Sequence, residues 1–351
     1  MPGKPAEKRK LQSANIHAIA KLGNVSIASV SRALNGQPGV GETTVKRIQT
    51  IAKELGYYPS SSARALVTGR SRTFGLLVSD IVNPFFAELL REFEEEAVRE
   101  QYEVIVANIN NDSRRVQESV RRLLERKVDG VAIMTAEPSH LSSELRKREV
   151  PVVLLESGAS STYVSTIRID TLSGIQKALE HLKSLGHTRI GYLGAPVSLA
   201  PGKLRLKAFR ETMAFCGLAA IPSLISSSNL PTVRGGYQGM LPMLQSRARP
   251  TAILAFNDAM ALGALHAARR ERISVPGDLS VIGFDDVELG AFVEPELTTI
   301  HSSRSDLAKL AVDTLLRMSC GAAGVTASLP TKLVVRSSTA LVRLRNGSRA
   351  K

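Results

Sequence analysis

The sequence predicts a small all-α helix-turn-helix domain followed by a larger α/β domain of two lobes, each a doubly wound parallel sheet. Three observations carry the prediction. Two short apolar-periodic segments are separated by Gly23-Asn24. From Thr73 onward, eight short apolar runs alternate with amphipathic stretches. Basic charge is concentrated in the first 72 residues.

In the first segment Ile16, Ile19 and Ala20 fall at i, i+3 and i+4, which gives a helix one apolar face. Gly23 and Asn24 both tolerate the left-handed backbone of a tight turn. Ser26 stands where a helix N-cap belongs, and in the helix that follows Val30, Ala33 and Leu34 point inward. Ile27, Ala28, Ser31 and Arg32 share the outer face. Small groups allow close approach, apolar groups suit thymine methyls, and an arginine suits guanine O6 and N7, so this face fits a DNA major groove. Residues 1–72 hold 12 Lys or Arg against 3 Asp or Glu, whereas the whole chain is +14, so most of the excess lies beside this helix. Lys4, Lys8, Arg9 and Lys10 sit in a stretch without apolar periodicity and read as a basic tail.

The α/β part is read as TFGLLVS, YEVIVAN, DGVAIMT, VPVVLLE, VSTIRID, RIGYLG, TAILAF and LSVIGF for strands. Most are rich in Val, Ile and Leu on both faces, as parallel strands covered by helices are. Helical patterns fill 85–101, 113–127, 173–185, 203–216, 258–272 and 305–318. Eight strand–helix units exceed one comfortable sheet, hence two lobes, with ligands bound between them beyond the strand C-termini.

The length of 351 residues allows a large core, and 43% hydrophobic content without Trp suits an α/β protein. No apolar run approaches the ~18 residues of a membrane span, and the charged N-terminus has no apolar signal core, so a cytoplasmic protein is expected. Cys216 and Cys320 form no CxxC and read as buried thiols. The histidines show no metal spacing, and neither a metal nor a cofactor is expected. Gly194 to Lys203 imitates a phosphate loop, but Val197 replaces its first glycine and Leu204 its Ser/Thr. Gly235-Gly236-Tyr237-Gln238-Gly239 follows no strand, and GxSxG is absent. Nothing marks an enzyme.

Polar residues stand at the strand ends: Asp80 and Asn83 after the first, Glu156 after the fourth, Asp170 after the fifth, Asn257 and Asp258 after TAILAF, and Asp285 and Asp286 after SVIGF. Arg205 follows a Gly/Pro-containing loop. Carboxylates and amides that grip hydroxyl pairs, with a bidentate arginine, suit a polyhydroxylated ligand. Acidic residues after strands also cap helices, and Asp258 reads as such a cap because it opens DAMALGALHAARR.

The chain resembles the lactose-repressor (LacI/GalR) family of transcription regulators from about residue 16 to 339. NVSIASVSRALNG resembles the family's DNA reader and AKELGYYPSSSARALVTGRS its third helix and hinge. LVSDIVNPFF, HLKSLGHTRIGYLG, RLKAF, AILAFNDAMALGAL, VPGDLSVIGFDD and PELTTIH follow in family order. The resemblance implies that Ile27 and Ala28 are the specificity pair and that Arg32 is a third base reader. It implies that Ser26, Ser29, Ser31, Asn35 and Thr44 hold phosphates or cap helices near them. A hinge would span 59–72, between a DNA-binding domain at 1–58 and a two-lobed domain of the periplasmic-binding-protein type at 73–345. Arg64 would contact DNA there, and Leu66 would wedge into the minor groove. Asp80, Asn83, Phe85, Glu156, Asp170, Arg205, Asn257 and Asp285 would line an effector site, usually for a sugar. The segment after about Ile300 should return to the first lobe.

The sequence departs from the family at several points. Asn24 replaces a turn Gly, residues 40–45 lack the Ser cap and the Arg after it, and Ser60 replaces the hinge Asn. Met134 stands where some members have a polar residue, and Glu156 where several have Asp. No leucine heptads follow residue 340, which favours a homodimer over a tetramer. The reading is therefore a homodimeric repressor of a palindromic operator, with a sugar-like effector and no membrane partner. The alternatives are a sugar-binding protein or a sugar-metabolising enzyme on the same two-lobed fold.

Overall fold

The computed structural model describes residues 15–57, 70–110, 112–134, 145, 147–155, 161–227, 230–246 and 248–343. The expected DNA contacts Arg64 and Leu66 and the effector candidate Glu156 lie outside them. The chain divides into two compact units, Met1–Arg72 and Thr73–Lys351.

The first unit contains α1 (Ile16–Gly23), α2 (Ile27–Leu34) and α3 (Glu42–Glu54). Asn15 caps α1, its side chain accepting from the Ala18 amide at 2.9 Å. Asn24 ends it in the left-handed region at φ 48°, where a short polar side chain costs little. Ser26 caps α2 by accepting from the Ser29 amide at 3.1 Å. Ile19, Ala20, Val30, Ala33, Ile48 and Ala52 form the core, so all three helices share one small apolar centre. Gly41 precedes α3 without a side-chain cap, as its lack of a side chain dictates.

In the second unit, lobe 1 contains β1 (Thr73–Val78), α4 (Pro84–Arg99), β2 (Glu103–Asn108), α5 (Ser113–Glu125), β3 (Gly130–Met134), β4 (Val152–Leu155) and β5 (Val164–Ile169). The chain then crosses to lobe 2 with α6 (Thr171–Ser184), β6 (Ile190–Leu193), α7 (Ala200–Phe215), β7 (Ile225–Ser226), α8 (Val233–Gln245), β8 (Ala252–Ala255), α9 (Asp258–Arg270), β9 (Ser280–Asp285) and β10 (Thr298–Ser302). It returns through α10 (Arg304–Ser319) and β11 (Thr326–Leu329), and crosses once more to β12 (Thr331–Val334). Lobe 1 is a parallel sheet in the order β11-β5-β4-β3-β1-β2, and lobe 2 follows β12-β10-β9-β8-β6-β7. The return after Ile300 is as expected: α10 adds Leu307, Ala308, Ala311, Val312 and Leu315 to the core of lobe 1.

Three features were not legible in the sequence. β12 pairs antiparallel to β10 and closes an otherwise parallel sheet. Four strands beyond the eight expected are short or end the chain's crossovers: β7, β10, β11 and β12. Helix α8 carries Gly235, Gly236, Gly239 and Pro242, which locally signal a break. Packing reverses that signal. A Cβ on Gly236 would stand 2.2 Å from the Met260 carbonyl oxygen of α9, so the glycines let the two helix backbones touch. Cys216 is buried as expected, but Cys320 is exposed, because it follows the last turn of α10 instead of facing its core side. Among the described residues no helix is long and apolar enough to cross a membrane.

Candidate functional site

On α2, Ala28 and Arg32 are exposed, Ile27 is 42% exposed, and Val30 and Ala33 are buried. An exposed isoleucine in the first turn of a helix is a poor choice for a solvated face and a good one for a surface awaiting a partner. Ser26 and Ser29 hydrogen-bond each other at 2.9 Å. Asn35 Nδ2 lies 3.4 Å from Ser31 Oγ, while its Oδ1 is buried without a partner. Thr44 lies in the first turn of α3, half-buried. Arg32 lies along Gly39 of the α2–α3 loop. Ile27, Ala28 and Arg32 therefore do share one outer face, and Ser26 serves as a helix cap.

In the two-lobed unit, several candidate groups already hold local structure. Asp80 Oδ1 accepts from the Val82 amide at 3.0 Å. Asn83 caps α4, accepting from the Phe85 amide at 3.1 Å, and Asp170 caps α6, accepting from the Ser173 amide at 3.1 Å. Asp80, Asn83 and Asp170 are nonetheless half-buried at strand ends, with their second polar atoms uncommitted by these caps. Phe85 is buried in the lobe 1 core and packs edge-on to Phe86 at 5.2 Å. The cap of α9 is Asn257, not Asp258: Asn257 Oδ1 accepts from the Met260 amide at 2.9 Å. Its Nδ2 donates to the Pro231 carbonyl at 3.2 Å.

Asp258 instead points into the lobe as a fully buried carboxylate. It accepts from the Thr299 hydroxyl at 2.5 Å and from the Val287 amide at 2.9 Å. Burial, and then the nearby Asp285 charge, push its acid strength well below that of an ordinary carboxyl. Its placement ties the start of α9 to β10 and to the segment after β9.

Arg205 and Asp285 meet. Arg205 comes from the second turn of α7, Asp285 from the end of β9, and their charged atoms are 3.8 Å apart, both buried. The Arg205 guanidinium lies between two aromatic faces, 3.7 Å from the Phe284 ring centre and 4.5 Å from that of Phe256. It also donates to the Phe256 carbonyl. The sequence holds the signal for this clamp, since the runs TAILAF and LSVIGF both end in Phe before a polar residue, but only the fold brings the two rings together. Asp285 sits at φ 120° and Asp286 at φ 60°. Arg304 holds this left-handed pair by donating to the carbonyls of Asp285, Asp286 and Ser302. Burial pushes the Asp285 carboxyl up to about 7, against the opposing pull of Arg205 and Arg304. Burial also raises Asp286, but its bonds to Arg336 and His301 bring it below the ordinary carboxylate range.

One interlobe contact was not anticipated. Glu88 of α4 pairs with Arg304 at 3.0 Å, and its other oxygen accepts from the Glu288 amide at 2.9 Å. Val287 belongs to the lobe 1 core, and Leu155 packs against the cores of both lobes. Glu88 thus fastens lobe 1 to the segment that follows Asp285. Both partners are mostly buried, and removing one leaves the other desolvated. Glu88→Ala should lower the stability of the two-lobed unit by about 3 kcal/mol, or roughly 6–12 °C in Tm. Calorimetry checks this, and an unchanged Tm would show that the clasp carries no stability.

Comparison with known proteins agrees with this geometry. Residues 15–60 match the model described as bacterial regulatory proteins, lacI family, and residues 179–339 match a periplasmic binding protein-like domain. The ribose operon repressor of Escherichia coli (strain K12) is 33% identical over 305 residues, covering 86% of this chain and 92% of that protein. The crystal structure of the lac repressor dimer bound to operator and the anti-inducer ONPF superposes with TM-score 0.82 at 27% identity, covering 94% of this chain and all (100%) of that one. A LacI family transcriptional regulator from Enterococcus faecium with bound ribose superposes with TM-score 0.69 at 28% identity, covering 77% of this chain and 100% of the other.

Proposed function

The chain belongs to the lacI family of bacterial regulatory proteins, and from that premise we propose that it is a homodimeric repressor, not an enzyme, released from or fixed to its operator by a small polyhydroxylated effector. The observation that carries the proposal is the Arg205–Asp285 clamp, held between two aromatic rings at the strand ends of lobe 2. A bidentate donor beside a carboxylate acceptor suits vicinal hydroxyls, and the two buried rings hold the guanidinium in place for them. Asp80, Asn83, Phe85, Glu156 and Asp170 supply the opposite wall in this reading, and Asn257 borders the site while its amide holds the start of α9 and the Pro231 carbonyl. Ribose, which the Enterococcus faecium neighbour holds and for which the E. coli relative is named, is the first effector to test. Two copies of α2 in a two-fold dimer read a palindrome, in the cytoplasm where the chromosome lies. Ser26, Ser29, Ser31, Asn35, Thr44 and Arg64 hold the DNA backbone, and Leu66 enters the minor groove.

The test is a gel shift on the DNA upstream of the protein's own gene, with and without ribose, other pentoses, sugar phosphates and purines. A ligand that alters the shift supports the proposal. Binding of sugar without any DNA binding would favour the sugar-binding alternative, and turnover of a bound sugar the enzymatic one.

The Asp285 carboxyl gives the reading a pH dependence. An ionised carboxylate accepts hydroxyl donors better than a neutral acid does. With its folded-state value at about 7, effector affinity should rise between about pH 6 and pH 8 and level off above. Stability of the ligand-free protein runs the other way. The folded state holds this proton more tightly than the unfolded chain, so the contribution is full below about pH 4 and is lost as pH rises through 7. Melting temperatures of the wild type and Asp285→Asn, compared from pH 5 to 8, should therefore shift in favour of the variant as pH rises. Parallel pH profiles would show that Asp285 does not titrate in this range.

A further inference from the structure

The far end of lobe 2 carries a feature that repression and effector binding do not use. A cavity of about 150 Å³ is lined there by Arg189, Arg249 and Arg343, together with His187, Gly277 and Asp278. Topology explains its position. Arg189 immediately precedes β6, Arg249 lies on the approach to β8, and Asp278 lies on the approach to β9. The cavity therefore sits at the N-terminal ends of strands whose C-terminal ends lead to Asn257 and Asp285.

The wall is firmly built. His187 is 2% exposed and joins three elements through Thr251 Oγ1, Ser280 Oγ and the Ala340 carbonyl, each at 3.0 Å. Burial lowers its proton affinity, which makes it a neutral strut at pH 7. Arg189 Nε donates to the Arg249 carbonyl at 3.3 Å, which holds that side chain against the approach to β8. Asp278 is committed to its own turn, accepting from the Ser274 amide at 3.1 Å. Among the described residues, no ion pair includes Arg189, Arg249 or Arg343. Three arginines line one small concave volume with a single carboxylate, Asp278, one oxygen of which is bound to its own turn. Such a surface focuses positive potential and concentrates anions. The planar guanidinium fork matches the oxygens of a tetrahedral oxyanion bidentately.

We propose that this cavity binds a phosphate-class oxyanion, either inorganic phosphate or the phosphoryl group of a small phosphomonoester. Bound there, the anion braces the entries of β6, β8 and β9 and stabilises lobe 2 from the end opposite the effector cleft. The proposal rests on lobe 2 alone, so its failure leaves the regulator reading standing.

The test is thermal unfolding of the full chain in inorganic phosphate up to about 10 mM, with ionic strength held constant by chloride. The expected result is a Tm rise of about 2–4 °C, the size produced by millimolar affinity in a unit this large. The rise should vanish in the Arg189→Gln/Arg249→Gln double variant. Arg343→Gln, a single change at an exposed position, should weaken phosphate binding at least tenfold if the double variant proves unstable. The rise should persist in Asp285→Asn, which separates this cavity from the effector cleft. Glycerol phosphate distinguishes the sources: an equal rise assigns the site to phosphomonoesters, and a rise with inorganic phosphate alone assigns it to the free ion. No rise with phosphate, an equal rise in the arginine variants, or loss of the rise in Asp285→Asn would overturn the proposal.

Discussion

Replacing Arg205 by alanine should leave operator binding intact and abolish the response to effector. The guanidinium is buried, pairs with Asp285 at 3.8 Å and rests on two aromatic rings, so no water or neighbouring side chain can substitute for it. Losing a charged hydrogen bond to the ligand costs about 1.5–3 kcal/mol, so effector affinity should fall by roughly 10- to 150-fold. Calorimetric titration measures this, and a gel shift with and without effector measures the lost response. Arg205 also donates to the Phe256 carbonyl, so the alanine variant loses some stability in lobe 2. Arg205→Lys keeps the charge and the volume but not the fork, and should fold while binding effector poorly. Asp285→Asn should behave likewise without disturbing the rings. If both folded variants titrate the effector with unchanged affinity, the site lies elsewhere.

Arg32→Ala should produce the opposite pattern: unchanged effector binding and a weakened, less selective grip on DNA. The residue is exposed beside Ile27 and Ala28 on the outer face of α2, while Val30 and Ala33 fill the core behind it. The loss should be about 1–3 kcal/mol per half-site, with one base position relaxed in a measured binding-site preference. The Arg32 side chain lies along Gly39 of the α2–α3 loop. Lys→Ala changes in the basic tail should instead weaken all DNA sequences evenly and reduce the salt dependence. An unchanged sequence preference in Arg32→Ala would remove Arg32 from the set of base readers.

Much of this architecture was written locally in the chain. Ser26 and Asn24 bound the turn because a hydroxyl can cap a helix and a short amide tolerates φ 48°. Eight of the strands were legible because parallel strands buried on two faces are predominantly apolar, as in β1 and β9, which are buried along their whole length. The crossover near Ile300 came from the resemblance, which read the order of motifs and not their contacts, whereas most effector candidates already stood out as polar residues at strand ends.

What the sequence by itself determined was the kind of elements, their order, and which end of each strand carries polar groups, because periodicity, caps and turn residues act within a few positions of the chain. The tertiary structure decided the rest. It made a helix of Val233–Gln245 against its glycines, since Gly236 meets the Met260 backbone of α9. It gave the cap of α9 to Asn257 and buried Asp258 between Thr299 and Val287. It brought Glu88 to Arg304 and Glu288 across 200 residues of chain or more. It also raised Asp285 to about 7. Each outcome depends on desolvation and close approach between segments far apart in the chain, and no local pattern encodes which surfaces will exclude water from one another.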